Sequence, residues 1–380
     1  MLEFTVLKKP LEDAMKLAIL STESVENLIV GHCLFDVNDQ VLKILATDKK
    51  SRISKSVLTV SSNQSVRFTT DPRKILKLIK TIETDSMKFG FDNETNTLKI
   101  FLSDNDDESF VSLTSFDPAT YAPIEDNFEK AFDLKTLNAG VFLGGIQFIR
   151  GFLLDKDKRF SNMFITKGIM YGANGNNKAG VFSSLELEGL DELVFPLTTF
   201  PAISNLISTL DLKDIILSNT SNYIFVSSPK KDFIFGFTKV QLKMPKIPIT
   251  VDEPSSNGWK INRPMMLKKL SRLHLTGDAK LGVRFILSKN NIQMSTVIDR
   301  PSKDTMPCSD KFGEASEANC ITEIRIIESA LNQFGGDEVD FYAGKKIIIY
   351  SKAQLEVTED GNKVMKPFIS AAAVALSQEE

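Results

Sequence analysis

Apolar positions recur along the chain in two alternating rhythms. In longer runs an apolar side chain returns every three or four residues, which predicts an amphipathic helix; in shorter runs apolar and polar residues alternate singly, which predicts a half-buried strand. "MLEFTVLKKP" reads as a strand entering a helix, and "KKPLEDAMKLAIL" continues that helix with Pro10 in its tolerant first turn. Strands follow in "LIVGHCLFDV", "QVLKILATD" and "RISKSVLTV". "TTDPRKILKLIKTI", residues 69–82, begins a second helix with Asp71 as N-cap and Pro72 at the first helical position. The alternation of "SMKFGFDNETNTLKIFLSD" and "ESFVSLTSF" predicts β-hairpins after it. The same order restarts at "FDLKTLNAGVFLGGIQFIRGF", "PLTTFPAISNLISTL", "INRPMMLKKLSRLHL" and "ITEIRIIESALNQF", each taken as a helix and each followed by alternating segments. Six helix-plus-strands units therefore share 380 residues, about 63 residues each.

Two polar, proline-bearing stretches, "FDPATYAPIEDN" (116–127) and "KMPKIPITVDEPSSNG" (243–258), read as linkers that group the units in pairs. The expected architecture is α+β, with three tandem domains at 1–126, 127–254 and 255–380, each a duplicated helix-plus-strands unit. A composition of 42% apolar and 25% charged residues is that of an ordinary globular chain. No apolar run is long enough for a membrane-spanning helix, and the N-terminus has no signal-peptide pattern, so the expected location is the cytoplasm. Cys33, Cys308 and Cys320 have neither disulfide nor zinc spacing, and two histidines, His32 and His274, are a poor stock for a catalytic or metal centre. No cofactor and no metal are expected.

Charge changes the picture. The six helical segments together carry +8 in a chain of net −3, which leaves −11 for everything else. In the second helix Arg73, Lys74, Lys77 and Lys80 fall on one side, and Ile75, Leu76, Leu78, Ile79 and Ile82 on the other. The fifth sets Lys268, Lys269 and Arg272 against Met265, Met266, Leu270 and Leu273. An exposed helix face is ordinarily charged, but usually with both signs, because Glu–Lys pairs four residues apart support the helix. A face of one sign repels itself, and an external polyanion offsets that repulsion. One such helix alone is better read as a solvated surface; its recurrence through a repeat array points to a nucleic-acid backbone.

The ordered series "FTTDPRKILKLIKTI", "SFDPATYAPIED", "DKRFSNMFI", "VFPLTTFPAISNLI" and "FGFTKVQLKMPKIP" resembles the bacterial-type sliding clamps, the beta subunits of replicative DNA polymerases, over essentially the whole chain. The resemblance implies a non-enzymatic processivity factor: a head-to-tail homodimeric ring with helices inside and sheets outside, encircling double-stranded DNA without sequence specificity and partnered by a polymerase and a clamp loader. By motif match, Lys9, Lys16, Arg73, Lys74, Lys77, Lys80, Lys268, Lys269 and Arg272 line the hole, joined by Lys156, Lys158, Arg159 and Phe160 of "DKDKRF". The implied subunit seam uses Phe110, Val111 and Leu113 against Leu273 and Leu275. The implied partner-peptide pocket uses Ala173, Lys178, Pro245, Val374 and Leu376. Here the chain departs from the family: "GANGNNKAG" replaces a Thr-Asp-Gly-His-Arg-like turn, and "ALSQEE" extends past the usual apolar end. A divergent, viral (phage) member accords with these departures.

Other signals have simpler readings. "YGANGNNKAG" lacks the GK[ST] ending of a phosphate-binding loop and fits a hairpin turn better. "SDNDDES" (103–109) lacks the central glycine and distal glutamate of a calcium loop. Gly144 and Gly145 sit within a predicted helix, where they permit close packing. No nucleophile, base and orienter converge, so no reaction is expected. Two rival readings remain open: an open, monomeric factor that holds DNA by charge alone, and a structural or interaction protein whose basic helices are merely solvated.

Overall fold

A computed structural model describes residues 1–22, 29–38, 40–62, 65–102, 109–121, 128, 130–154, 160–175, 178–242, 257–275, 282–313, 317–344, 346–359 and 362–376. Among them are 25 strands and six α-helices. The chain forms two compact units, residues 1–139 with 198–239, and residues 140–197 with 240–380.

The first unit is built on β1 (Leu2–Leu7), α1 (Lys8–Ile19), β2 (Cys33–Asn38), β3 (Val41–Thr47), β4 (Ser51–Ser62), β5 (Val66–Thr70), α2 (Pro72–Ile79), β6 (Ser86–Asp92), β7 (Thr97–Phe101) and β8 (Phe110–Thr114). After β9 (Phe132–Asn138), the later segment adds α4 (Phe200–Thr209), β14 (Asp214–Asn219), β15 (Tyr223–Ser227) and β16 (Phe233–Thr238). The main path of the sheet runs β8-β7-β6-β1-β4-β16-β15-β14-β9, with β3, β2 and β5 branching from β4. β4 is the junction of this sheet, pairing with β1 and with β16, where Phe235 lies opposite Ile53. Side chains from the branches fill the core. Phe4 stacks on Phe89 at 4.9 Å, and Phe68 lies 5.0 Å from both Phe35 and Phe91. Leu11 and Met15 of α1 and Ile75 and Ile79 of α2 are buried, as their helical spacing requires.

The second unit contains α3 from Gly140 onward (the helix is Ala139–Arg150), β10 (Asn162–Thr166), β11 (Ile169–Asn174), β12 (Lys178–Ser183) and β13 (Leu193–Pro196). Its later segment adds β17 (Gly258–Asn262), α5 (Arg263–His274), β18 (Gly282–Leu287), β19 (Asn291–Thr296), β20 (Lys303–Pro307) and β21 (Asp310–Phe312). β22 (Ala318–Glu323), α6 (Ile324–Leu331), β23 (Glu338–Ala343), β24 (Ile347–Glu359) and β25 (Asn362–Val374) complete it. One sheet runs β13-β10-β11-β12-β25-β24-β23-β17-β21 and a second β20-β19-β18-β22. Trp259 is fully buried and donates its indole N–H to Ser288 O at 2.7 Å, so its one polar atom is satisfied inside the core.

The α+β class and the helix-then-strands order follow the sequence expectation. "GANGNNKAG" does form the β11–β12 hairpin, with Asn174 opposite Lys178 and Gly175 at φ +56°. One local reading is corrected. "FDLKTLN" is strand β9, and the helix begins only at Ala139. In "FDPATY", read as the start of a linker, Asp117 caps a short turn, and buried Tyr121 donates to Leu45 O at 3.0 Å. The predicted domain boundaries at 126/127 and 254/255, and residues 103–108 of "SDNDDES", lie outside the described residues.

Candidate nucleic-acid interface

The helix with the one-sign face is locally well specified. Asp71 accepts the Arg73 N–H at 2.9 Å, Pro72 occupies the first turn, and Ile75, Ile79 and Ile82 turn inward. Lys74, Lys77 and Lys80 are therefore left on the outer side, all exposed. None of the three pairs with a carboxylate of the described residues. Arg73 differs: it is half-buried, donates from Nη2 to Thr22 O at 3.1 Å and lies 3.8 Å from Asp71. Its guanidinium ties α2 to the end of α1.

The other predicted cations are less free. On α1, Lys9 lies 3.1 Å from Asp13, and Lys16 lies 2.6 Å from Glu12 and 3.8 Å from Asp13. The hydrogen bond from Lys16 holds the Glu12 carboxyl below its ordinary range. On α5, Asn262 caps the helix by accepting from Met265 N–H at 2.8 Å, and Met266, Leu270 and Leu273 are buried. Met265, assigned to the apolar side from sequence, is exposed: the buried side is narrower than the sequence suggested. Lys268 is exposed, whereas Lys269 donates to Asp304 at 2.6 Å and Arg272 lies 3.8 Å from the same carboxylate. Asp304 lies in β20, 35 positions after Lys269, so no local spacing signals it. The α1 pairs, at four-residue spacing, are legible. Lys156, Lys158 and Arg159 lie outside the described residues, while Phe160 closes the base of their loop by accepting Leu154 N–H at 2.9 Å.

Among the described residues β8 is an edge strand, paired with β7 alone, and it presents Phe110 at 40% exposure with Val111 and Leu113 half-buried. Leu275, just past α5, is 86% exposed. Leu273 is 3% exposed and belongs to the core beneath α5, which corrects its assignment to a surface seam.

The five predicted pocket residues are not one surface. Lys178 lies opposite Val374 on adjoining strands, while Ala173, Ala179 and Ala373 form the next row across the sheet. Strand alternation puts Ala173 on the opposite face from Lys178 and Val374. On the Ala173 face, Tyr171, Val181, Tyr350 and Ala371 pack into one apolar cluster. On the other, Lys178 Nζ donates to Gly151 O at 2.7 Å and Ser329 Oγ at 2.6 Å, and burial lowers its pKa. Ala173 and Val374 are buried, Leu376 is half-exposed, and Pro245 lies outside the described residues. Two cavities, of about 800 and 680 Å³, flank the middle of the β24–β25 hairpin, and none of the four described members of the pocket set lines either.

No protein-family model and no curated protein matches the sequence. Solved structures do. The DNA polymerase III subunit beta from Pseudomonas aeruginosa superposes with a TM-score of 0.77 at 14% identity, over 99% of this chain and 100% of that one. The DNA polymerase sliding clamp from Bacillus subtilis gives 0.77 at 13% identity, and the DNA polymerase III beta subunit from Thermotoga maritima 0.74 at 14%, both over the full length of each chain. The chain has the fold of a bacterial sliding clamp. At this identity the likeness is one of fold, so each site must be argued from the residues of this chain.

Proposed function

We propose that the protein is a non-enzymatic processivity factor, a sliding clamp that encircles duplex DNA and tethers a replicative polymerase. The observation that carries this reading is α2: Lys74, Lys77 and Lys80 form an exposed stripe of one sign, on a fold shared with sliding clamps end to end. Such a stripe neutralises phosphates without reading bases, which sliding requires. The recurrence of helix-then-strands units supports three duplicated domains. The proposed assembly is a homodimeric ring with the basic helices lining the hole, closed where β8 and its Phe110 meet the Leu275 region of a second copy. Polymerase and loader peptides are proposed to bind beside Leu376, a half-exposed member of the pocket set.

The open, charge-only alternative is disfavoured by the chain's own ion pairs. Lys9, Lys16 and Lys269 are already matched to carboxylates, which supports weak contacts to DNA and a retention that rests on topology. The test compares covalently closed circular DNA with linear DNA of the same length, both loaded with the protein. The clamp reading expects long retention on the circle and rapid loss from the ends of the linear form; equal loss from both rules out encirclement.

A further inference from the structure

α5 is formally the most basic helix of the chain, with Arg263, Lys268, Lys269 and Arg272 and no acidic residue. Its surroundings set it apart from α2. β20 packs beside it and delivers Asp304, whose Oδ1 accepts from Lys269 Nζ at 2.6 Å and from Thr305 N–H at 2.8 Å, while Oδ2 lies 3.8 Å from Arg272 Nη1. The lysine side chain is only 16% exposed and the aspartate 22%, so this is a partly buried pair and not a solvent-exposed encounter. Burial opposes ionisation of Asp304, but the hydrogen bond from Lys269 and its companions outweigh it and keep the carboxyl below its ordinary range. A phosphate arriving at Lys269 thus finds an anion already in place. Sharing the ammonium brings two negative groups together, and displacing Asp304 strands a partly buried charge, which is costly.

We propose that Asp304 is a built-in competitor of the DNA phosphates, holding Lys269 and Arg272 back so that α5 contacts DNA mainly through Lys268 and below its formal charge. The proposal rests on the reading that the basic helices face DNA, and it adds how strongly one of them does so. A clamp that must move along its substrate gains from contacts that steer without gripping. The Thr305 N–H needs only an acceptor, which a neutral asparagine supplies, so the negative charge at 304 is not required by the backbone.

The experiment uses the full chain and a labelled linear duplex, with Kd measured between about 50 and 200 mM salt. Asp304→Asn should bind roughly three- to tenfold tighter at about 0.1 M salt, with the log–log salt slope steeper by about 0.9 for each further phosphate neutralised. Adding Lys269→Gln to that variant should remove most of the gain. Each variant should still melt cooperatively, with Asp304→Asn somewhat below the parent because Lys269 loses its partner, and should sediment as the parent does, which separates charge from folding and assembly. If Asp304→Asn leaves affinity and slope unchanged while Lys74→Glu with Lys77→Glu still weakens binding, the competitor role is overturned and the DNA reading stands. If neither alters binding, the DNA reading falls, and this proposal with it. A gain that survives Lys269→Gln combined with Arg272→Gln intact also overturns it, because Asp304 would then act only through the general field. Should the asparagine variant fold poorly, Asp304→Ser keeps an acceptor for Thr305 and carries the same expectations.

Discussion

At the scale of single residues, the two most informative features are a histidine with an unsatisfied ring nitrogen and a glycine pair. His32 is half-buried against Phe116, at 4.6 Å between ring centroids, and its Nδ1 has no hydrogen-bond partner among the described residues. Burial lowers its pKa, Lys74 adds to this and Asp71 opposes it. A base whose folded pKa is depressed binds fewer protons folded than unfolded. Its contribution is therefore complete above the unfolded value of about 6.5 and is lost as pH falls through that value toward the folded pKa. The urea midpoint should drop between about pH 7 and pH 5, and His32→Gln should flatten that drop; an unchanged profile in the variant would clear His32 of the effect. The glycines answer a question that the sequence raises without resolving. A Cβ on Gly145 would lie 2.4 Å from Met170 Sδ and 3.0 Å from Phe182 Cδ1, both in the buried core, whereas one on Gly144 would meet only the end of Leu355 at 2.9 Å. Gly145→Ala should destabilise by about 1–3 kcal/mol through overpacking. Gly144→Ala should be near neutral, since a flexible side chain can move aside and alanine favours the helix by up to about 1 kcal/mol. Chemical denaturation of the pair checks both.

At the scale of elements, α2 is the most legible segment in the sequence, because cap, proline, apolar spacing and charge all agree within one short window. Asp71, Pro72, Ile75, Ile79 and the exposed Lys74, Lys77 and Lys80 stand where those signals put them. β9 is hard to read because "FDLKTLN" runs into α3 with no proline between them, and Asn138, of a type favoured just before a helix, is the one local mark of the change of period. The free-cation set is only partly legible. Pairs four residues apart on α1 can be read from spacing, but the Asp304–Lys269 pair exists only once β20 is folded against α5. Reversing charge on α2 is the direct test of its role. Lys74→Glu with Lys77→Glu should lower affinity for linear duplex and make the salt slope shallower by about 0.9 for each phosphate no longer neutralised. Ile75 and Ile79 are untouched in that variant, so its thermal stability should stay close to that of the parent, and unchanged DNA binding would leave the stripe as a solvated face.

At the scale of the whole molecule, strand pairing crosses the divisions that linker composition suggests. β4 pairs with β16 in one unit and β12 with β25 in the other, so segments far apart in sequence share a sheet. Hydrophobic periodicity reports which face of a strand is buried but carries no information about its lateral neighbour, and that is why these pairings are not legible. Among the described residues the same pairing leaves β8 as the last strand of its sheet, with Phe110 exposed on it. An open apolar edge is ordinarily protected, and pairing with a second copy is one way to protect it. Leu275, exposed at the end of α5, offers the apolar surface that such a copy would cover. Because both side chains are exposed in the single chain, Phe110→Asp and Leu275→Asp should leave the fold intact while removing apolar area from the seam. Sedimentation of the parent should give near twice the 42.3 kDa chain mass, and each variant should shift toward one chain mass at micromolar concentration with an unchanged circular-dichroism spectrum. Retention on circular DNA should fall with the dimer fraction, because a ring that opens at its seam releases DNA however basic its lining is. A parent that sediments as a single chain at every concentration, yet stays on circular DNA, would place closure elsewhere than β8.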